Sequence, residues 1–202
     1  KLIKTKNTLK FIKDLAKEKR KLSGAKIIAV TGSVGKTTAK TYLGKMLQNY
    51  GKTYFSPKSY NNHIGVPLSL SNLEVSHQFG VFEVGMSKAG EIIRLSNLIQ
   101  PDVGIITNIA EAHIENFSNI KGIAEAKGEI INNIQNNGSI ILNRDDKFFD
   151  YLNAKAKLKN IKVITFGKSK QSEVRLIKIK QQGAIKEIII NVKDEIFKLK
   201  IK

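Results

Sequence analysis

The chain has 202 residues, of which 41% are hydrophobic, and a formal net charge of +18, a composition that excludes a disordered or fibrous protein and suits one sizeable domain. Its apolar runs are shorter than the roughly 18 residues of a membrane-spanning helix, and its basic N-terminal segment lacks the features of a secretory signal, so no membrane insertion is expected. The lack of Cys excludes disulfides, thiolate catalysis and Cys-bound zinc, and it fits a cytoplasmic protein.

The N-terminal part of the sequence predicts a helix, a strand and a second helix. Residues 8–22 have apolar side chains at helical spacing among charged ones, which indicates an amphipathic helix. The apolar strand Ile27–Val30 then leads into the turn-rich segment Thr31–Lys36. A second helix begins at Thr37 and ends before Gly51, where a helix-terminating glycine is expected.

Short apolar runs continue along the chain, and most end at a polar residue or a glycine. They are Gly80–Val84, Val103–Ile106, Ser139–Leu142 and Val163–Phe166. Helical patterns at 90–99 and 120–135 lie between them. Short buried strands that alternate with helices predict an α/β fold with a doubly wound, mainly parallel sheet of the P-loop type.

The pattern changes near the C-terminus. Residues 173–202 alternate apolar and charged side chains, interrupted by turn-like residues, which predicts an antiparallel β meander with one solvent-exposed face. We expect residues 1–168 to form the main domain and residues 169–202 to form an antiparallel extension of it. Because the sequence lacks an initial Met and stops within a strand pattern, we interpret it as a piece of a longer protein.

The surplus of positive charge lies at the two ends of the sequence. Residues 1–35 carry a net charge of +8 and residues 151–202 a net charge of +10, whereas residues 36–150 are neutral. Nearly all of the cations are Lys, whereas specific recognition of nucleic acids favours Arg. We interpret the surplus as a solvated Lys-rich surface and expect no specific nucleic-acid partner.

The strongest local motif is a candidate phosphate loop, Ala29-Val30-Thr31-Gly32-Ser33-Val34-Gly35-Lys36-Thr37-Thr38. A strand that enters a glycine-containing loop, followed by Lys-Thr at a helix start, directs backbone N–H groups at a polyphosphate. The pattern assigns Lys36 to the β- and γ-phosphates and the Thr37 hydroxyl to Mg²⁺. The usual pattern has a glycine at the position of Val30, so this loop is a shortened variant. A strand–helix turn with a chance Gly-Lys-Thr is the alternative.

Three other polar residues stand at positions where function is plausible on chemical grounds. Glu83 lies near the end of a buried strand, where α/β sheets bind ligands and where an unpaired carboxylate is costly. His113 follows another strand end, although a lone His is more often a hydrogen-bonded or surface residue. Lys127 lies on a helix among small residues and, taken alone, indicates solvated surface. The sequence lacks the guanine-specific Asn-Lys-x-Asp of GTPases.

Taken in order, six motifs resemble the central ATPase domain of the Mur ligases over about residues 25–168. They are TGSVGKTT, YNNHIGVPLSL, FEVGMSKAGEI, TNIAEAHIENF, AEAKGEI and ILNRDD. Within the family, Tyr60–Pro67 and Glu83–Met86 favour the member that adds D-Ala-D-Ala to UDP-MurNAc-tripeptide. The reaction that this resemblance implies is ATP-dependent amide formation through an acyl phosphate.

The resemblance also implies a role for individual residues around ATP. The residues assigned to its phosphates are Gly32, Ser33, Val34, Gly35, Lys36, Thr37 and Thr38. Thr37, Glu83 and His113 match the magnesium-binding residues, and Lys36, His113 and Lys127 match the catalytic set. Lys127 corresponds to a lysine that is carbamylated in these ligases and then supports a second Mg²⁺.

Four asparagines complete the set of candidate site residues. Asn143 resembles the asparagine that contacts adenine, although the neighbouring Arg144 replaces the small residue expected there. Asn61, Asn62 and Asn108 fall in loops that resemble those facing the muramoyl-peptide.

Three alternatives remain open at this point. Another Mur-type ligase or a folylpolyglutamate synthase-like enzyme shares the ATP half of the site, and a non-catalytic relative of the family is conceivable. A nucleic-acid-stimulated P-loop ATPase would use the basic ends of the chain to bind backbone phosphates. Since the related ligases have two further domains, we expect nucleotide binding but little ligase turnover from this chain alone.

Overall fold

A computed structural model describes residues 4–112, 114–183 and 185–201. Helices and strands alternate through most of the chain. The helices are α1 (Thr8–Leu22), α2 (Lys36–Leu47), α3 (Gly65–Ser71), α4 (Glu91–Ile99), α5 (Ile120–Lys127) and α6 (Phe149–Leu158). The strands are β1 (Lys26–Thr31), β2 (Thr53–Phe55), β3 (Phe79–Glu83), β4 (Val103–Ile106), β5 (Ser139–Asn143), β6 (Lys162–Gly167), β7 (Val174–Gln182), β8 (Ile185–Val192) and β9 (Glu195–Ile201).

The described strands form one sheet in the order β2-β3-β1-β4-β5-β6-β7-β8-β9. The first six strands pair in parallel, and β7 joins β6 in parallel over a short register that includes Phe166 and Val174. Strands β7, β8 and β9 are antiparallel. The predicted mainly parallel α/β sheet with an antiparallel meander at its C-terminal end is therefore confirmed, and the meander continues the same sheet.

Helices cover both faces of the parallel part because its strands bury side chains on both sides. On one face, Ile28 and Val30 of β1 pack beneath α2. On the other face, Ile27 and Ala29 belong to a larger core with residues of α1, α3, α4, α5 and α6. This two-sided burial explains the unbroken apolar runs of the strands. None of the described helices has both the length and the apolar character required to cross a bilayer.

Some elements differ from the sequence-based expectation. Local patterns in the sequence do not predict β2, α3 or α6. The helix predicted over 120–135 is wrong beyond Lys127, where the chain continues as a 3₁₀ helix, Gly128–Asn133. A 3₁₀ helix aligns residues three apart, which brings Gly128 and Ile131, both buried, to the same side. A Cβ at Gly128 would lie only 3.0 Å from Leu152, so this glycine lets α6 pack closely.

The strand order places the carboxyl ends of three strands side by side. Strand β1 lies between β3 and β4, and the chain leaves β1 toward the β2 edge but later returns on its other side to form β4. Ligands of doubly wound sheets bind outside the carboxyl ends of the strands at such a switch point. Gly32 follows β1, Glu83 ends β3 and Thr107 follows β4, so all three meet there.

Helix α1 is attached to this sheet by Arg20. Its guanidinium donates hydrogen bonds to the carbonyl of Ile99 (2.8 Å), to that of Gln100 (2.9 Å) and to that of Ser23 (3.3 Å). Ile99 and Gln100 form the C-terminal end of α4, where carbonyls lack partners within the helix and attract cations. Arg20 thus joins α1 to the end of α4.

Replacing Arg20 with Met should lower the free energy of unfolding by about 1.5–3 kcal/mol, because hydrogen bonds from charged groups contribute about that much. Urea denaturation followed by circular dichroism measures the change. Lys21→Met, at an exposed position on the same helix, is the matched control and should stay within about 0.5 kcal/mol of the original chain. Equal losses in both variants would contradict the role of Arg20.

Candidate functional site

The phosphate loop adopts a conformation that depends on its glycines. The φ angles of Gly32 and Gly35 are 144° and 83°, and a Cβ at Gly32 would lie 1.9 Å from Thr107 Oγ1. No described side chain caps the N-terminus of α2, which leaves its first amides directed at an anion. Lys36 Nζ donates to the carbonyls of Gly32 (2.9 Å) and Ser33 (3.3 Å), so its ammonium lies against the loop.

The segment after β4 holds the phosphate loop in place. Asn108 accepts from the N–H of Ser33 through its carbonyl (3.0 Å) and from that of Val34 through its side-chain oxygen (2.9 Å). The Ser33 hydroxyl donates to the carbonyl of Ala110 and accepts from its N–H, and Thr107 Oγ1 donates to the Val34 carbonyl. Asn108, predicted to face the substrate, therefore has its amide oxygen bound to the phosphate loop.

The buried carboxylate of Glu83 connects three segments that are distant in the sequence. Glu83 is 1% exposed. Thr37 Oγ1 donates to one of its oxygens at 2.8 Å, and Asn61 Nδ2 donates to the other at 2.7 Å. Ser59 Oγ lies 3.2 Å from Thr37 Oγ1. The predicted residues Thr37, Glu83 and Asn61 are thus brought together, and each carboxylate oxygen has a partner.

Lys127 is buried near Lys36, although the sequence taken alone indicates a solvated surface lysine. Its side chain, on the last residue of α5, is 2% exposed. Burial, and then repulsion from Lys36, lower the pKa of Lys127 to about 7. The surface interpretation is therefore wrong, and a large fraction of this amine is neutral at pH 7.

A cleft of about 1010 Å³ opens between α1, α4 and the phosphate loop. Lys36, Lys127, Asn61 and Asn62 line it, whereas Asn108 is not among its lining residues. The Asn62 side chain also accepts from the first amides of α3 and so fixes the start of that helix.

Cations outnumber acids among the residues that line this cleft. The cations are Lys10, Lys13, Lys17, Lys36, Arg94 and Lys127, and the acids are Asp14 and Glu91. This excess of positive charge favours an anionic ligand that carries phosphates or carboxylates.

Asn143 ends β5, two strands away from β1 in the sheet. Its side chain accepts from the N–H of Asp145 (3.0 Å), which shapes the turn after the strand. Asp146 in the same turn accepts from the N–H of Ile109 (2.7 Å) and so joins the turn to the segment after β4. The Arg144 guanidinium packs over an aromatic ring of α6, 4.1 Å from its centroid.

His113, predicted as a metal ligand and catalytic residue, lies outside the described residues. Among the described residues, no three His, Asp or Glu side chains cluster closely enough to form a metal site by themselves. Thr37 and Glu83 nevertheless offer the oxygen ligands that Mg²⁺ prefers, and Mg²⁺ commonly completes its shell with water and phosphate oxygens. The residues present therefore fit a magnesium ion that is bound together with a polyphosphate.

The sequence analysis misses two residues of this region, Ser59 and Lys40. Lys40, on α2, is 1% exposed, and its Nζ donates to the carbonyls of Ser56 and Lys58. A lysine within a helix is normally exposed to solvent. The burial of Lys40 results from the packing of α2 against the segment after β2. No local pattern in the sequence could have identified either residue.

Comparison with known proteins agrees with this geometry. The family model described as Mur ligase middle domain matches residues 30–202. The UDP-N-acetylmuramoyl-tripeptide–D-alanyl-D-alanine ligase of Buchnera aphidicola is 40% identical over 153 residues, which are 76% of this chain and 34% of that protein. The chain thus spans about a third of the length of that relative.

Two solved structures have nearly the same fold. MurF from Acinetobacter baumannii superposes with a TM-score of 0.89 at 30% identity, over 98% of this chain and 43% of that one. MurF ligase from Thermotoga maritima in complex with ADP gives a TM-score of 0.85 at 27% identity, over 98% of this chain and 45% of that one. With a family model that covers most of its length and these two folds in agreement, the chain belongs to the Mur ligase family.

Proposed function

We propose that this chain is the ATP-binding middle domain of a cytoplasmic ligase that joins D-Ala-D-Ala to UDP-MurNAc-tripeptide in the synthesis of peptidoglycan precursors. The observation that carries the proposal is the buried Glu83 carboxylate, which binds Thr37 of the phosphate loop and, through Asn61, reaches the cleft lined by Lys127. The name of the Buchnera relative supports this substrate pair. Residues 1–168 form the main domain and residues 169–202 its β extension.

The residues of the phosphate loop bind and orient ATP. The N–H groups of Gly35–Thr38 at the N-terminus of α2 donate to the phosphate oxygens, and the rest of the loop Gly32–Thr38 encloses the phosphates, as the ADP complex of the Thermotoga ligase supports. Lys36 exchanges its present carbonyl partners for phosphate oxygens, which are stronger acceptors for an ammonium. Asn143, at the end of β5, contacts the adenine ring.

Thr37 and Glu83, together with His113 as the family resemblance implies, would hold Mg²⁺. When bound, Mg²⁺ offsets the negative charge of the β- and γ-phosphates. The hydrogen bond from Asn61 orients the Glu83 carboxylate in the absence of the ion. This orientation reduces the reorganisation that ion binding requires.

The reaction forms an amide at the expense of ATP. The terminal carboxylate of the tripeptide attacks the γ-phosphorus, ADP leaves, and an acyl phosphate forms. The amine of D-Ala-D-Ala then attacks the acyl carbon, loses a proton, and inorganic phosphate leaves. Two anions must approach each other in the first step, and the positive cleft lowers their repulsion. No nucleophilic side chain is needed.

Lys127 carries a carbamate in the active protein. A carbamate forms from a neutral amine and CO₂, and burial supplies that neutral amine because it lowers the pKa of Lys127 to about 7. The neutral amine adds to CO₂ and releases one proton to the solvent, which gives a carbamate anion that would help to hold a second Mg²⁺. The repulsion between Lys127 and Lys36 is then replaced by attraction.

Lys36→Met should raise the dissociation constant for ATP at least about 100-fold, equivalent to about 2.7 kcal/mol, because it removes the cation that the phosphates require. Isothermal titration calorimetry measures the binding. Lys45→Met, an exposed position on the same helix, should bind ATP like the original chain. Unchanged affinity in the Lys36 variant would exclude this loop as a phosphate site.

Lys127 should react with ¹³C-labelled bicarbonate and give a carbamate resonance in ¹³C NMR that is absent from Lys127→Met. The resonance should weaken as the pH falls through about 7, because the ammonium form does not react with CO₂. Lys121→Met, at an exposed position on the same helix, should keep the resonance. A resonance that survives in the Lys127 variant would assign the carbamate to another amine.

The buried Lys127 ammonium should also affect stability in the absence of CO₂. Its folded pKa of about 7 lies below the ordinary value of a lysine. Below pH 7 the amine is charged in the folded state too, so the buried charge lowers the free energy of unfolding by its full amount. This loss disappears as the pH rises toward the unfolded pKa of about 10.4. Lys127→Met should therefore melt at a higher temperature at pH 6, with a gain that shrinks toward pH 10. A gain that does not depend on pH would contradict the lowered pKa.

An acceptor screen tests the complete activity. The natural protein that carries this sequence should release phosphate from ATP when UDP-MurNAc-tripeptide and D-Ala-D-Ala are both present. With a dipeptide precursor and diaminopimelate, or with folate and glutamate, the release of phosphate should be at least about 100-fold lower. Sites built around a substrate's polar groups reject analogues that lack those groups. Preference for either control pair would assign the chain to another ligase, and stimulation by DNA or RNA would indicate a nucleic-acid-dependent ATPase.

A further inference from the structure

Lys40 is a buried cation to which the proposed chemistry gives no role. Its side chain is 1% exposed, and its Nζ donates to the Ser56 carbonyl at 2.6 Å and to the Lys58 carbonyl. Lysine is seldom buried unless its charge is partnered. Here the partners are two carbonyls of one short turn, so the ammonium fixes a segment of backbone instead of pairing with an acid.

The turn Ser56–Lys58, which Lys40 binds, connects strand β2 with the residues that reach the candidate site. The N–H of Ser56 donates to the Val81 carbonyl, which anchors one end of the turn to β3. At the other end, Lys58 has a φ of 48°, an uncommon value for a residue other than glycine, which turns the chain back toward α2. The hydrogen bonds from Lys40 to the carbonyls of Ser56 and Lys58 therefore hold a turn whose backbone conformation is not the preferred one.

The residues that follow this turn contact the candidate metal ligands directly. Ser59 lies 3.2 Å from the Thr37 hydroxyl, and Asn61 donates to Glu83 at 2.7 Å. The Asn61 carbonyl also accepts from the N–H of Gly85 (2.8 Å), just after β3. Because only two residues separate Lys58 from Asn61, a displacement of the turn moves both contacts.

The hydrogen bonds indicate that the charge itself matters. Burial lowers the pKa of Lys40, and the nearby Glu83 carboxylate offsets part of that shift. An uncharged side chain of the same length could fill the space but would leave two carbonyls without their donor, a loss that costs more than a missing surface contact. The ammonium, and not only the bulk of the side chain, is therefore what the turn requires.

We propose that Lys40 is a positioning residue: its ammonium ties the turn Ser56–Lys58 to α2 and thereby sets Ser59 and Asn61 against Thr37 and Glu83. This inference rests on the proposed function, in which Thr37 and Glu83 bind Mg²⁺ with ATP. Loss of the tie should release Asn61 from Glu83 and weaken the contribution of Mg²⁺ to ATP binding. The phosphate loop itself should bind ATP without Mg²⁺ as before.

The absence of Cys from the chain permits a test of the charge at constant size. Lys40→Cys is alkylated in urea with 2-bromoethylamine, which restores an ammonium at nearly the original position, or with 1-bromopropane, which gives an uncharged chain of similar length. Both products are refolded and checked by circular dichroism. Lys45→Cys, treated in the same two ways, is the matched control on the exposed side of α2.

Two measurements compare the products. Calorimetry gives the ratio of ATP affinities with and without Mg²⁺, and hydrogen exchange of the nucleotide-free protein reports the protection of the amides of Asn61 and Gly85. In the propyl product, the Mg²⁺-dependent gain in ATP affinity should fall at least about fivefold, and the protection of the two amides against exchange should fall about tenfold. Changes of this size are expected for the loss of about one hydrogen bond to a charged group. The aminoethyl product should recover both, and neither Lys45 product should change.

Equal behaviour of the aminoethyl and propyl products would overturn the proposal, since the charge would then have no part in positioning. Reduced thermal stability with an unchanged Mg²⁺-dependent gain would also overturn it, because Lys40 would then be only structural. If the original chain shows no Mg²⁺-dependent gain, the proposed function fails. The exchange measurement then still decides whether the ammonium of Lys40 positions Asn61.

Discussion

The candidate site is organised around the buried carboxylate of Glu83 and the lysines near it. Glu83 is 1% exposed, and its charge acts favourably on both Lys36 and Lys40. Lys127 adds a third amine, whose repulsion by Lys36 contributes to its lowered pKa. One carboxylate does not balance the charges of both Lys36 and Lys40. In the proposed function, a polyphosphate would supply the remaining negative charge.

Sheet topology makes this concentration of charge possible. The parallel pairing of β1 with β3 and β4 brings three carboxyl ends to one edge, and the N–H of Val84 and that of Thr107 donate to carbonyls of β1 at its end. The sheet thus satisfies the backbone at these strand ends, so the Glu83 side chain can accept from Thr37 and Asn61. The pairing of β3 with β1, and not proximity in the sequence, therefore brings the Glu83 carboxylate close to the phosphate loop.

Local patterns predicted those parts of the molecule that local physics determines. The helix at residues 8–22 and the strand–loop–helix conformation around Gly32–Thr38 were predicted correctly, because amphipathic spacing and glycine conformation act within a few residues. The edge strand β2 has only three residues, too few for a periodic signal. The burial of Lys127 and Lys40 could not be predicted either, since it arises from the packing of α5, α2 and the turn after β2, which are far apart in the sequence.

The charge distribution along the sequence has a consequence that only the fold shows. Lys10, Lys13 and Lys17 of α1 are exposed, as a solvated Lys-rich surface predicts, and they also line the cleft. Helical spacing puts these residues on one side of α1, and Arg20 fixes α1 to the end of α4, so the stripe faces the same space as Lys36. Part of the surplus thus extends the positive field of the phosphate loop along the cleft. In the proposed function, a long anionic substrate would lie in that field, with its terminal carboxylate toward the phosphate loop.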